Sequence, residues 1–335
     1  DTWYDHVAAT VAVDPAVENV IKDREVDPTV TATVPAESTN ATKLTLIKSK
    51  TTAPSTITVD AGAQAVSADV KLVDQDGNKV TAADGKFFTV TMQLDTYLTV
   101  KAFYHNDVAL KKAKRAAAVS SANDQYYYNA ATGVVTFTTD DFSPFTAIVA
   151  FSGGNGTAAH PYIISTAEQA MAMGTTSSYY KLVNDVVVTG ETVFNKKCTV
   201  DLNGHSVTLE YPEGSAPRFS TNGVFTVRGS SSSLTINDSS AEQTGAIYGT
   251  DTPYEKKVTS VIYAARNAKV IINGGHFYSR NDSACIYTNT AYNANSAAFV
   301  TINGGIFEVK TPSNGKYYVL NHEDRNTPSC KMTVN

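Results

Sequence analysis

The sequence predicts an all-β protein: an N-terminal β-sandwich followed by a parallel β-helix with a short N-terminal cap helix. Three observations point there. Val300-Thr301-Ile302-Asn303-Gly304-Gly305-Ile306-Phe307 nearly repeats Val270-Ile271-Ile272-Asn273-Gly274-Gly275-His276-Phe277, and weaker copies run from Val200, Leu234 and Met332. Asn203, Asn237, Asn273, Asn303 and Asn335 then stand 34, 36, 30 and 32 residues apart, a spacing typical of repeat architectures. Upstream of these repeats the chain reads instead as about seven or eight short strands broken by turns, the pattern of a sandwich.

Columns through the repeats show why a helix of strands follows. One residue before each Asn stand Leu202, Ile236, Ile272, Ile302 and Val334; three before stand Val200, Leu234, Val270, Val300 and Met332. The positions between, such as Asp201, Thr235, Ile271, Thr301 and Thr333, are mostly polar. Period-two alternation with β-branched residues means a strand with one buried face. Stacking one such strand per repeat, roughly 4.8 Å above the last, piles like residues into ladders. The Asn column suits an amide hydrogen-bond ladder, and the Gly that follows (Gly204, Gly274, Gly304) permits the positive φ of a tight corner.

In chain order, residues 1–28 are the least legible. Asp14-Pro15 reads as an N-cap and first helical position, with Val17, Val20 and Ile21 on one face of a short helix. Strands follow at Thr29–Val34 and Lys43–Ile47. Val66–Val73 and Val80 flank an Asp76-Gly77 hairpin turn. Phe87–Leu94 and Tyr97–Tyr104 come next. Tyr126–Tyr128 and Val134–Thr138 form a second hairpin, and Phe145–Phe151 closes a domain spanning 29–151. Lys111–Arg115 reads as a solvated loop or one short helix. The Gly-rich stretch 152–161 is a linker by composition. Residues 162–335 form the β-helix, with Thr166–Met173 as its cap helix, Thr166 or Ser165 as N-cap and Glu168 in the first turn. A cap is expected because the first turn of a solenoid exposes an apolar end.

Composition bounds the function. With 335 residues and a net charge of −5, at a pI near 5.7, the chain carries no nucleic-acid footprint. No run reaches the roughly 18 apolar residues of a membrane span. Only 18% of residues are charged, which suits secreted β-proteins. The start at Asp1 reads as a mature or trimmed chain, and the pattern at Asn335 as one cut from a longer protein. Cys198 and Cys330, assigned to one column four steps apart, stand roughly 19 Å from each other at the usual strand spacing, beyond disulfide reach. Both, with Cys285, read as small core residues, and no metal-ligand spacing is present.

Two resemblances emerge from these residues. Tyr128–Phe137, followed by Asp141-Phe142-Ser143-Pro144-Phe145, resembles the closing strands of ZU5-like sandwiches of bacterial surface proteins. Related ZU5/UPA modules can carry His-Phe-Ser, in which the His activates the Ser to cut the preceding peptide bond. Asp141 stands at the His position, and a carboxylate is a poor base for a hydroxyl, so self-cleavage at Phe142-Ser143 is predicted inactive. Residues 155–335, from the opening phrase Gly156–Thr166 through the two Asn-Gly-Gly-x-Phe turns, resemble right-handed, pectate-lyase-like β-helices of secreted bacterial proteins.

Polysaccharide lyases of that fold need clustered carboxylates for Ca²⁺ and a basic residue, and its glycosidases need paired acids about 5–9 Å apart. The column beside the aliphatic ladder holds one acid, Asp201. A second column arises from aligning Ile262, Ile286 and Val319. It brings Ala265, Asn289 and His322 together, with Arg266, Thr290 and Glu323 beside them and Asp324 one residue further. Arg266, Asn289, His322 and Glu323 are therefore the candidate ligand-binding residues. Asp251, Arg280 and Asp282 lie in loops, and His205 and His276 follow the Gly corners as turn residues. No phosphate loop, nucleophile elbow or zinc motif is present, and no cofactor is implied. The expected function is a non-enzymatic secreted or cell-surface module, an adhesin-like stalk or a domain contacting glycans or host surface molecules. A carbohydrate-active enzyme is the alternative. A third reading makes both domains spacers, with binding elsewhere in a longer protein.

Overall fold

The computed structural model describes residues 6–23, 28–60, 62–119, 124–212, 221–251, 258–280, 284–289, 297–310, 318–323 and 331–335. The protein is almost entirely β and falls into two compact units, 1–155 and 156–335.

The first unit holds two six-stranded sheets. One runs, in spatial order, His6–Ala12, Lys43–Lys50, Ala63–Asp74, Pro144–Ala150, Val100–His105 and Val108–Ala109. The other runs Asn19–Lys22, Val30–Val34, Phe88–Gln93, Val134–Thr139, Gln125–Asn129 and Lys111–Lys112. Their alternating side chains meet in one core, with Leu44, Leu46, Phe103 and Phe145 from the first sheet and Ile21, Val90, Met92 and Phe137 from the second. Phe137 and Phe145 rings lie 4.5 Å apart across it.

Three expectations are corrected in this unit. The helix expected after Asp14 is a turn and a strand. The Asp14 carboxylate accepts the Ala16 N–H at 3.0 Å, and the Asn19 amide donates to the Asp14 carbonyl at 2.8 Å. Such an Asx turn competes with helix formation, and Ile21 then pairs with Ala32 in a sheet. Lys111–Lys112 is an edge strand, parallel to Gln125–Tyr126; lysines are common on edges because they discourage further pairing. Tyr97 has φ 58°, so that strand begins only at Val100.

The second unit is built from three parallel sheets that the chain visits in rotation. The first contains Tyr162–Ile164, Ser178–Leu182, Lys197–Asp201, Ser233–Asn237, Lys269–Ile272, Phe299–Ile302 and Lys331–Val334. The second contains Val186–Val188, Ser206–Leu209, Ala246–Tyr248, His276–Ser279 and Ile306–Val309. The third contains Thr192–Phe194, Thr221–Arg228, Val258–Ala265, Ala284–Asn289 and Tyr318–Glu323. From Ser178 on, each strand pairs with the one a full circuit later. Leu234, Val270 and Val300 share one buried ladder, and Ile236, Ile272 and Ile302 another.

A helix, Ala167–Ala172, precedes the first full circuit, and the Thr166 hydroxyl caps it by accepting the Gln169 N–H. Ala170 and Met173 are buried, and the Thr192 hydroxyl donates to the Ala170 carbonyl at 3.2 Å, which ties the helix to the third sheet.

The Asn ladder is real but shorter than its sequence column. Asn273 donates its amide to Asn237 at 2.8 Å, Asn303 to Asn273 at 2.8 Å and Asn335 to Asn303 at 2.6 Å. Asn203 is not a member. Asp201 pairs with Asn237, two residues from the expected register, and Asn203 lies beyond it in a left-handed corner at φ 50°. There its amide donates to the Leu182 carbonyl at 2.9 Å. The glycine assignment also shifts by one in the later corners, where positive φ belongs to Gly275 and Gly305. Gly304 is small for another reason, since a Cβ there would sit 2.8 Å from the Asn273 carbonyl oxygen.

Candidate functional site

The second parallel sheet turns Val207, Ile247, Phe277 and Phe307 inward, with the Phe277 and Phe307 rings stacked at 4.9 Å. Alternation therefore sends the intervening residues outward. Val187, Thr208, Tyr248, Tyr278 and Glu308 form one outward column. Ser206, Ala246, His276 and Ile306 form the next, in which Ala246 is buried.

Tyr248, Tyr278 and His276 make a cluster of rings on this face. Their centroids are separated by 6.1 Å (Tyr248–Tyr278), 6.1 Å (Tyr248–His276) and 5.8 Å (His276–Tyr278). All three side chains are half-buried, as suits rings with a polar tip and an apolar body. His276 Nε2 lies 2.7 Å from the Glu308 carboxylate on the next circuit.

Beyond the strand ends, Glu210, Asp251, Arg280 and Lys310 converge from four successive circuits. The Arg280 Nε donates to the Gly249 carbonyl at 2.5 Å, Nη1 to Asp251 at 2.7 Å and Nη2 to Glu210 at 2.6 Å. Lys310 donates to the other Asp251 oxygen at 3.2 Å. Two acids and two bases balance, and the planar guanidinium is only 16% exposed, so its fork is held rigidly.

The residues singled out from the sequence are placed differently. In the third sheet Ile286 pairs with Leu320 and Asn289 with Glu323, one residue from the expected alignment on Val319. His322 is therefore level with Thr288, so the two residues expected side by side stand one register position apart. Arg266 stands past its strand at φ 57° and is exposed. Asn289 is buried and donates to the Tyr287 hydroxyl at 3.1 Å, against an apolar cluster of Tyr263, Ala265, Ala284 and Tyr287. The expected set is thus offset by one residue in its last strand. His322 and Glu323 are described in their backbone alone, and Thr290, Asp282, Asp324 and Cys330 lie outside the described residues.

Asp141 pairs with Lys79 at 2.6 Å, Phe142 is buried against Phe88 with rings 5.0 Å apart, and Ser143 precedes the closing strand. His205, in its turn, lies 3.5 Å from Asp185. Asp201 accepts the Ser239 N–H at 2.9 Å and its hydroxyl at 2.6 Å. Among the described residues no group of three His, Cys, Asp or Glu side chains is placed to hold a metal ion.

Sequence reasoning missed Tyr248, Tyr278, Glu308, Glu210 and Lys310. The signal was present: after each corner, His276-Phe277-Tyr278-Ser279-Arg280 and Ile306-Phe307-Glu308-Val309-Lys310 alternate in step, so a second outward column can be traced. Compared with known proteins, the chain matches no family model, no curated protein and no solved structure.

Proposed function

We propose that the chain is a non-enzymatic module of a secreted or cell-surface protein. In this reading a ZU5-like β-sandwich precedes a right-handed parallel β-helix, and the second sheet of the helix contacts a glycan, free or on a host surface. The observation that carries the reading is the outward cluster of Tyr248, Tyr278 and His276 beside Glu308 and the Arg280 ion network. A sugar ring presents an apolar face suited to an aromatic ring and a rim of hydroxyls suited to fixed donors and acceptors; few polar groups among aromatic ones is the usual make-up of such sites. The carboxylates near this face support binding over hydrolysis, because Glu210 and Asp251 are each held by a cation.

The test is a glycan array read with the wild-type chain and with a Tyr248→Ala/Tyr278→Ala variant, followed by titration of each hit. Binding that weakens by about tenfold or more in the variant is expected for a site resting on stacked aromatics. Each hit is then incubated with Ca²⁺ and analysed for shortened or unsaturated products. Product formation overturns the non-enzymatic reading. Binding that Arg266→Ala abolishes and the tyrosine variant leaves intact moves the site to the third sheet.

A further inference from the structure

Period-two alternation in Lys43–Lys50 turns Leu44 and Leu46 into the core of the first unit, and the next inward position is Lys48. On the opposite sheet, Ile21 faces the core and the next inward position is Asp23. A charged pair thus occupies places where both strands otherwise carry aliphatic side chains. Lys48 Nζ lies 3.3 Å from Asp23 Oδ1, with the side chains 7% and 0% exposed.

Burying two opposite charges carries a desolvation cost that their attraction has to offset. Their hydrogen-bond partners fit a different species. Asp23 Oδ2 accepts the Val30 N–H at 2.7 Å, and Lys48 Nζ donates to the Pro28 carbonyl at 2.7 Å. These two bonds, the ones given by described residues, are kept by a secondary amide: its C=O would keep the Val30 N–H and its N–H would keep the Pro28 carbonyl.

We propose that Lys48 and Asp23 condense to an isopeptide bond that staples the two sheets of the first unit. Proton transfer within the pair supplies the neutral amine and the carboxylic acid from which the step proceeds. The Nζ lone pair adds to the Asp23 carbonyl carbon, the Nζ–Cγ bond forms and the Cγ–Oδ1 bond breaks. Oδ1 departs as water, carrying two of the three ammonium protons, and the third remains as the amide N–H. No oxidant or co-reactant enters. The link joins residues 25 apart in sequence, across two sheets that share no hydrogen-bonded strand pair among the described residues.

The experiment is the intact mass of the denatured full chain, with tandem mass spectrometry of its proteolytic fragments. The wild type is expected to be lighter than its sequence by one water, with a branched fragment joining the segments around Asp23 and Lys48. Lys48→Met is expected at its full sequence mass, whether or not it folds. A wild type predominantly at full sequence mass overturns the proposal and leaves an ordinary buried ion pair. A missing water that persists in Lys48→Met also overturns it, because dehydration at Asp76-Gly77 or Asp84-Gly85 would then be the source.

Discussion

The Asp238 carboxylate accepts the Gly204 N–H at 2.9 Å, from a residue 34 positions earlier in the chain. The Ser240 hydroxyl donates to the same oxygen at 2.8 Å, and the other oxygen accepts the Gly245 N–H at 2.6 Å. One buried side chain therefore joins two corners of successive circuits. Burial alone would raise its pKa, but the hydrogen bonds from Ser240, Gly245 and Gly204 outweigh that and hold the carboxyl below its usual range.

Replacing Asp238 by Asn swaps an acceptor for a donor facing backbone N–H groups and is expected to cost about 2–3 kcal/mol at neutral pH. Since the folded pKa is depressed, the contribution is full above the unfolded value near 4 and is lost as pH falls through the folded one. Urea denaturation of wild type and Asp238→Asn should accordingly give midpoints that differ at pH 7 and converge in acid. A gap that stays constant with pH would show that the charge is not the stabilising feature.

Asn303 both donates to Asn273 and accepts from Asn335. Asn303→Asp removes the donor and sets a carboxylate against the Asn273 oxygen. About 1 kcal/mol of destabilisation is expected at neutral pH, as for one lost hydrogen bond, with partial recovery where the new carboxyl is protonated. Asn203→Asp breaks no ladder bond, and the comparison by chemical denaturation separates ladder membership from mere loss of an amide.

Gly305 has φ 112°, and a Cβ there would meet the Gly275 carbonyl oxygen at 2.9 Å. Gly305→Ala combines a disfavoured backbone with a backbone clash and should cost about 2 kcal/mol or more. Gly190, with nothing within 4 Å of an added Cβ, is the control, and Gly190→Ala should leave the melting temperature within a degree or two.

Burial pushes the Cys198 thiol up to about 11, and its Sγ donates to the Thr176 carbonyl at 3.3 Å. Because the thiolate is the nucleophile, Cys198 should resist iodoacetamide at pH 8 in the folded protein and react fully in urea. Peptide mapping of alkylated samples reads this directly, and rapid labelling under native conditions would contradict the placement.

Denaturing electrophoresis should show a single full-length band. Asp141, where the self-cleaving motif needs a base, is tied to Lys79, and Phe142 is locked into the core beside Phe88. Fragments meeting at Ser143 would overturn this.

The nearly all-β character and the ladders through Val270 and Ile272 were legible because those strands bury one face and wet the other. Register failed in two ways. Asp201 was placed two residues off because such a slip preserves the inward face, so alternation cannot detect it. Leu320 was missed by one because Ala284–Asn289 is buried at all six positions, leaving no alternation with which to align its neighbour. The Arg280 network was illegible for a third reason: its members sit beyond strand ends, where periodicity gives no distance. Val17, Val20 and Ile21 suggested a helix by their spacing alone, whereas the Asp14 turn set the backbone.

The ladder hydrogen bonds of the second unit run along the direction in which its circuits stack, since neighbouring strands bond side by side. Tension applied along that direction is carried by all circuits in series, and an end circuit, with a neighbour on one side only, is held by half as many ladder bonds as an inner one. The unit would therefore lengthen by peeling, one strand triplet at a time, at modest and repeating force.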